Sequence, residues 1–298
     1  MRIVRQLLGA AIAAAVIASP AMAEELTGTL KKIKESGTIT LGHRDSSIPF
    51  SYLAGKPEPV GYSHDIQLAV VDALKKQLGT DIKVRYNLVT SQTRIPLVQN
   101  GTVDLECGST TNNSARGKDV DFAINHFYTG TRLLVKKSSG IKDWADLKGK
   151  KVAITTGTTN MLVVRKYNDE KKLGIDVVGT KDHADALLLV ETDRAAAFPM
   201  DDILLYGLKA NAKDPASLEV VGEALQVEPY ACMVRKDDPK FKALVDGVIT
   251  GMMKSGEFEK LYDKWFMGPI PPKNQAVGLP MSDELRNNIK SPSDKPAT

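Results

Sequence analysis

The residues with most chemistry to offer lie in one loop. Cys107-Gly108-Ser109-Thr110-Thr111-Asn112-Asn113-Ser114-Ala115-Arg116 follows a strand-like run from Val103 and consists almost wholly of hydrogen-bond donors. Hydroxyls, amides and free backbone N–H groups converge there, and Arg116 adds a planar fork of donors matched to one carboxylate. The chemistry this suggests is capture of a small anion. A solvated polar turn uses the same residue types, so the assignment rests on what accompanies the loop. A second donor cluster, Thr156-Gly157-Thr158-Thr159, ends another strand-like run and opens a helix near Asn160. Unpaired N–H groups and the helix dipole favour an anion at such a place.

Alternating strands and helices must carry these loops. Thr38 to Leu41 reads as a strand, and Ser63 as the cap of a helix with Ile66, Val70, Leu74 and Leu78 on one face and Gly79 at its end. Ile82, Val84, Tyr86 and Leu88 alternate as a strand, Ser91 to Asn100 forms a short helix closed by Gly101, and Val103 to Cys107 is the next strand. This order predicts a parallel sheet, whose ligands sit at the carboxyl ends of the strands. Arg44, Ser91, Arg94 and the Ser109 to Arg116 loop all fall there. A second unit starts after Thr129-Gly130, with strands over Arg132 to Val135, Lys151 to Thr155, Ile175 to Val178, Arg194 to Phe198 and Leu218 to Val221. Helices are expected over Ala184 to Glu191 and Asp202 to Lys209, and a strand over Tyr230 to Val234. Two further helices carry Phe241, Leu244, Val248 and Met252, then Phe258, Leu261, Tyr262, Trp265 and Phe266. From Gly268 onward, prolines and polar residues predict an extended tail with loose final residues.

The first 23 residues read as a cleavable export signal. Arg2 and Arg5 precede the uncharged run Leu7 to Ala18, and Ala21-Met22-Ala23 offers a small-x-small cleavage site. No cysteine near the cut suggests a lipid anchor. The mature chain of about 275 residues keeps 38 basic against 36 acidic residues, a net charge of +2. Its basic residues are scattered and aromatics make up only 6%, which excludes the electrostatic footprint of a nucleic-acid binder. Cys107 and Cys232 would meet an oxidising compartment, where they form either a disulfide or two buried thiols. They have neither C-x-x-C spacing nor neighbouring histidines, so no metal or redox site is expected.

A resemblance now becomes specific. Gly42-His43-Arg44-Asp45-Ser46-Ser47-Ile48-Pro49-Phe50-Ser51-Tyr52, Gly61-Tyr62-Ser63-His64-Asp65, Thr90-Ser91-Gln92-Thr93-Arg94-Ile95-Pro96-Leu97 and the run Glu106 to Asn113 resemble the periplasmic glutamate/aspartate-binding proteins of amino-acid ABC transporters, among the family 3 solute-binding proteins. So do Asp146 to Lys150, Gly157-Thr158-Thr159, Lys181-Asp182-His183, Met200-Asp201-Asp202 and Gly268 to Lys273. The likeness spans nearly the whole mature chain. It implies an α/β, two-lobed periplasmic binding protein fold, each lobe a mainly parallel sheet flanked by helices, joined by two hinge strands. Residues 24–129 plus 226–270 would form lobe one, 130–225 lobe two and 271–298 the tail. Ser109, Thr111 and Arg116 would then hold the ligand's α-carboxylate, with Thr158 and Thr159 meeting it from the other lobe. Asp201, which as a lone residue before an apolar helix reads as a helix cap, would pair with the α-ammonium. Arg44, Ser91, Arg94 and His183 would surround a side-chain carboxylate.

The resemblance also implies a periplasmic monomer that needs no cofactor, binds an acidic amino acid and serves an inner-membrane ABC permease. Charge counting points the same way, because three arginines against Asp201 leave a net +2 that calls for a second ligand carboxylate. The alternative on the same fold is an exported enzyme resembling cyclohexadienyl dehydratases. Such an enzyme needs a general acid or base, for which His183 is the candidate.

Overall fold

The computed structural model describes residues 25–297, so the expected export signal lies outside the described residues. In chain order the main strands are β1 (Thr38–His43), β2 (Lys83–Leu88), β3 (Leu105–Glu106), β4 (Val120–Phe122), β5 (Phe127–Lys136), β6 (Lys151–Thr155), β7 (Asp176–Thr180), β8 (Ala197–Asp201), β9 (Leu218–Val221), β10 (Val227–Tyr230) and β11 (Met233–Arg235). The helices are α1 (Gly28–Ser36), α2 (Tyr62–Leu78), α3 (Arg94–Gln99), α4 (Thr159–Lys171), α5 (His183–Glu191), α6 (Asp202–Asn211), α7 (Pro239–Ser255), α8 (Glu257–Tyr262) and α9 (Asp283–Lys290).

Two main sheets result among the described residues, one per lobe. The first runs β2-β1-β3-β11-β4 and the second β7-β6-β8-β5-β9. Each is parallel over its first three strands and antiparallel beyond them, where β11, returning from lobe two, and the outgoing strand β5 enter. β5 joins the lobes: its first residues pair with β10 and its later ones with β8 and β9. The strand expected over Tyr230 to Val234 is therefore two strands, β10 serving the crossing and β11 the first sheet.

The apolar face of α2 is buried as its spacing requires, with Ile66, Val70, Leu74 and Leu78 all in the core. Ser63 does not cap it. The hydroxyl donates instead to the Gly108 carbonyl at 3.0 Å and lies 3.0 Å from His126 Nε2, because residue 63 already sits inside the first turn. An aromatic cluster fills the base of lobe one beside the crossing strands, with Phe50 and Phe127 centroids 4.9 Å apart and Phe127 and Phe266 5.0 Å apart. Lobe two has its own core around Leu133, Val135, Leu147, Val152 and Ile154.

The tail departs from expectation. Ser282 caps α9 by accepting from the Leu285 amide, and the buried Asn288 donates to the Asn125 carbonyl at 2.6 Å. Beyond α9, the Ala297 amide donates to the Asn112 carbonyl and Asn112 Nδ2 donates to the Asp294 carbonyl. Long-range hydrogen bonding, which a proline and polar composition does not reveal, ties this segment to the back of the binding loop.

Candidate functional site

The sheets meet at their strand ends, and the expected site residues converge there. A disulfide joins Cys107, just after β3, to Cys232, just before β11, with Cα atoms 4.3 Å apart. It fixes the root of the Gly108 to Asn113 loop to the returning chain. Gly157 shows how closely the lobes approach: its φ is +79°, and a Cβ there would lie 2.8 Å from the Gln92 amide nitrogen of lobe one. A side chain is excluded at that point on both grounds.

Between the lobes lies a tight cavity lined by Ser91, Arg94, Ser109, Thr111, Thr158, Thr159, Asn160, His183, Met200, Asp201 and Leu204. Arg94, at the start of α3, donates from Nη1 to the Ser109 carbonyl at 2.9 Å and to Thr110 Oγ1 at 2.6 Å, while its buried Nε has no partner. Burial, with the charges of Arg116 and Arg44, pushes Arg94 down to about 9. Arg44 stands one layer behind the lining. It is fully buried, and its Nη2 donates to Ser91 Oγ at 3.2 Å and lies 3.4 Å from His183 Nε2; its Nε and Nη1 are also unpartnered.

A guanidinium only donates. His183 Nε2 therefore accepts, and the ring proton sits on Nδ1, 2.9 Å from Thr155 Oγ1. Burial, reinforced by Arg44, pushes His183 down to about 3, so the ring is neutral and adds no charge.

At the opposite end of the cavity, Asp201 closes β8 and precedes α6. It is the N-cap residue by position, yet its side chain makes no capping bond. Oδ1 accepts from Asn160 Nδ2 at 2.7 Å and Oδ2 accepts from the Tyr230 hydroxyl. Burial and then the charge of Glu228 raise the Asp201 carboxyl to about 8. Thr158, by contrast, is committed to capping: its hydroxyl accepts from the Met161 amide and donates to the Thr155 carbonyl. Neighbouring Thr159 also lines the cavity, its hydroxyl donating to Glu228 Oε2 at 2.6 Å. Ser109 donates to Ser47 Oγ at 3.1 Å, and Thr111 Oγ1 lies 3.3 Å from Thr159 Oγ1 across the cleft. Arg116 does not line the cavity. Its Nη1 donates to the Thr111 carbonyl at 2.9 Å and its Nη2 to the Gly157 carbonyl at 3.3 Å, so the guanidinium bridges the lobes.

The count of three arginines against one acid does not hold. Three more buried carboxylates adjoin the site: Glu106 beneath Thr110, Asp182 3.6 Å from Arg44, and Glu228, which accepts from Thr111 and Thr159. Burial works against charge on Asp182, but Arg44, the His183 amide and the Ser46 hydroxyl outweigh it and hold the group below its ordinary value. With them the formal charge is −1 rather than +2, so net charge cannot identify the ligand. Glu228 was detectable in principle as an acid within the apolar Val227-Glu228-Pro229-Tyr230 run. Asp182 reads locally as the cap of α5, a role it also fills by accepting from the His183 amide. Among the described residues there is no group of three His, Cys, Asp or Glu that could hold a metal, and no helix is long and apolar enough to cross a membrane.

Residues 39–268 match the family of bacterial extracellular solute-binding proteins, family 3. The chain is 58% identical over 299 residues to the L-glutamate/L-aspartate-binding protein of Pseudomonas aeruginosa, covering 100% of this chain and 99% of that one. It is 48% identical over 289 residues to the glutamate/aspartate import solute-binding protein of Escherichia coli, covering 97% and 94%. A solved structure, a mutant ArgBP from T. maritima, is similar with a TM-score of 0.71 at 27% identity, covering 80% of this chain and 99% of that chain.

Proposed function

The chain belongs to the bacterial extracellular solute-binding proteins, family 3, and on that premise we propose that it captures L-glutamate and L-aspartate between its lobes in the periplasm and delivers them to an ABC-transporter permease. Binding by closure of the lobes is its whole task; it is not an enzyme. In this reading residues 1–23 direct export, lobe one comprises 24–129 plus 226–270, and lobe two comprises 130–225.

The observation that carries the reading is the buried guanidinium pair. Arg94 lines the cavity and Arg44 stands directly behind its Ser91 and His183 walls, and between them three N–H-bearing nitrogens lack a protein acceptor. A buried donor without a partner costs about 1–3 kcal/mol, more when charged. A ligand carboxylate supplies the acceptors, whereas a side-chain amide supplies only one oxygen and adds donors of its own. Asp201 at the other end receives the α-ammonium, whose charge restores that of the carboxylate. Arg116, Ser109, Thr111 and the Thr158–Thr159 helix start hold the α-carboxylate, Arg116 exchanging a carbonyl partner for it.

Titration calorimetry with glutamate, aspartate, glutamine, asparagine and succinate tests this. Glutamate and aspartate are expected to bind at least tenfold more tightly than their amides, and succinate, which lacks the ammonium, weakly. Equal affinity for glutamine and glutamate would overturn the assignment of the arginine pair.

A further inference from the structure

Glu228 lies on β10, beside the crossing strand β5, and is fully buried. Its Oε2 accepts from two hydroxyls at once: that of Thr111, in the binding loop of lobe one, and that of Thr159, at the start of α4 in lobe two, the latter at 2.6 Å. Its Oε1 accepts from Gln226 Nε2 on the same segment. One oxygen thus joins both lobes and the segment between them. It does not line the cavity, so its contacts are to the residues that grip the ligand rather than to the ligand's place. A hydroxyl-to-oxygen hydrogen bond spans only about 2.5–3.0 Å. The pair of bonds therefore exists only while the lobes are closed.

The charges around the carboxylate fit such a role. Arg116, which spans the Thr111 and Gly157 carbonyls, supplies the facing positive charge, and Asp201 is the neighbouring acid. Thr111 and Thr159 belong to the end of the cleft where every amino acid presents the same α-carboxylate. A bond to them strengthens closure over any amino acid and cannot distinguish side chains.

We propose that Glu228 is a closure latch, a positioning residue that holds Thr111 and Thr159 together across the shut cleft and slows ligand release without setting ligand choice. The inference rests on the binding function proposed above but not on the acidic preference. Its test is a double-mutant cycle of Glu228→Gln and Thr159→Val, read by calorimetry and stopped-flow dissociation with whichever amino acid the wild type binds most tightly, and with glutamine alongside. Each single variant should lose about tenfold in affinity for both ligands, mainly through faster release, with their affinity ratio unchanged. The double variant should lose at least fivefold less than the product of the singles. Additive losses, affinities within twofold of wild type, or loss confined to one ligand would each overturn the latch. If Glu228→Gln does not fold, Glu228→Asp takes its place in the cycle: it keeps the charge but is one methylene too short to reach both hydroxyls, and the same non-additivity with Thr159→Val is expected, additive losses again overturning the latch. Should the tightest amino acid prove not to be acidic, the arginine-pair reading falls while the cycle still judges the latch.

Discussion

The two ends of the cleft hold their arginines in opposite ways. At one end Arg44 and Arg94 are 0% and 2% exposed, supplied by lobe one, and they retain N–H groups with no protein acceptor. At the other end Arg116 is partly exposed and already satisfied by one carbonyl from each lobe. Lobe two also reaches the first end, through Asp182 and His183 beside Arg44, and in the proposed function its unmet donors make it demanding: a ligand lacking a second carboxylate would leave buried cations poorly paired. In the same reading the second end takes the group that all amino acids share. Selectivity and grip would then be separated in space, so that each could be removed without the other.

Removing Arg116 should have the largest effect. Arg116→Ala is expected to abolish measurable binding of glutamate, aspartate and glutamine alike, because the shared α-carboxylate loses its cation and the lobes lose a bridge. Calorimetry across those ligands reads it, and a loss confined to glutamate would merge the two ends into one. Arg94→Ala should come next. It is expected to weaken glutamate and aspartate by about 3 kcal/mol, a hundredfold or more, the scale for breaking a buried charge pair. Glutamine should lose under tenfold, so the same titrations would show selectivity collapsing while grip survives.

The smallest effect concerns Asp201. Its ligand-free carboxyl titrates at about 8, raised by burial and then by Glu228, with Tyr230 and Asn160 bonded to it and Asp202 nearby. An ammonium ligand requires the ionised form, so below pH 8 binding must expel a proton. Affinity should therefore rise with pH and level off above about 8, with a slope approaching tenfold per unit below it. His183, neutral down to about 3, adds nothing in this window. Calorimetry in buffers of different ionisation enthalpy counts the released proton, and Asp201→Asn should flatten the profile; an unchanged slope in that variant would assign the proton elsewhere.

Much of this was legible in the chain. The period-two run at Ile82 to Leu88, the apolar face of α2 and the turn residues between elements are local patterns, so the strand and helix order follows from neighbouring residues alone. Because parallel strands present ligands at their carboxyl ends, the same order brought Arg44, Ser91, Arg94 and the Ser109 to Arg116 loop to one edge. Tertiary structure alone decided what those groups meet. Arg44 and Asp182 are 138 residues apart, Thr111 and Glu228 are separated by 117, and Asn112 finds its partner in the tail at Asp294. A carboxylate's effect on a site depends on distance and burial, which sequence separation does not encode. That is why three acids went uncounted, the last residues of the tail read as loose, and only the structure shows that the Asp201 side chain makes no capping bond.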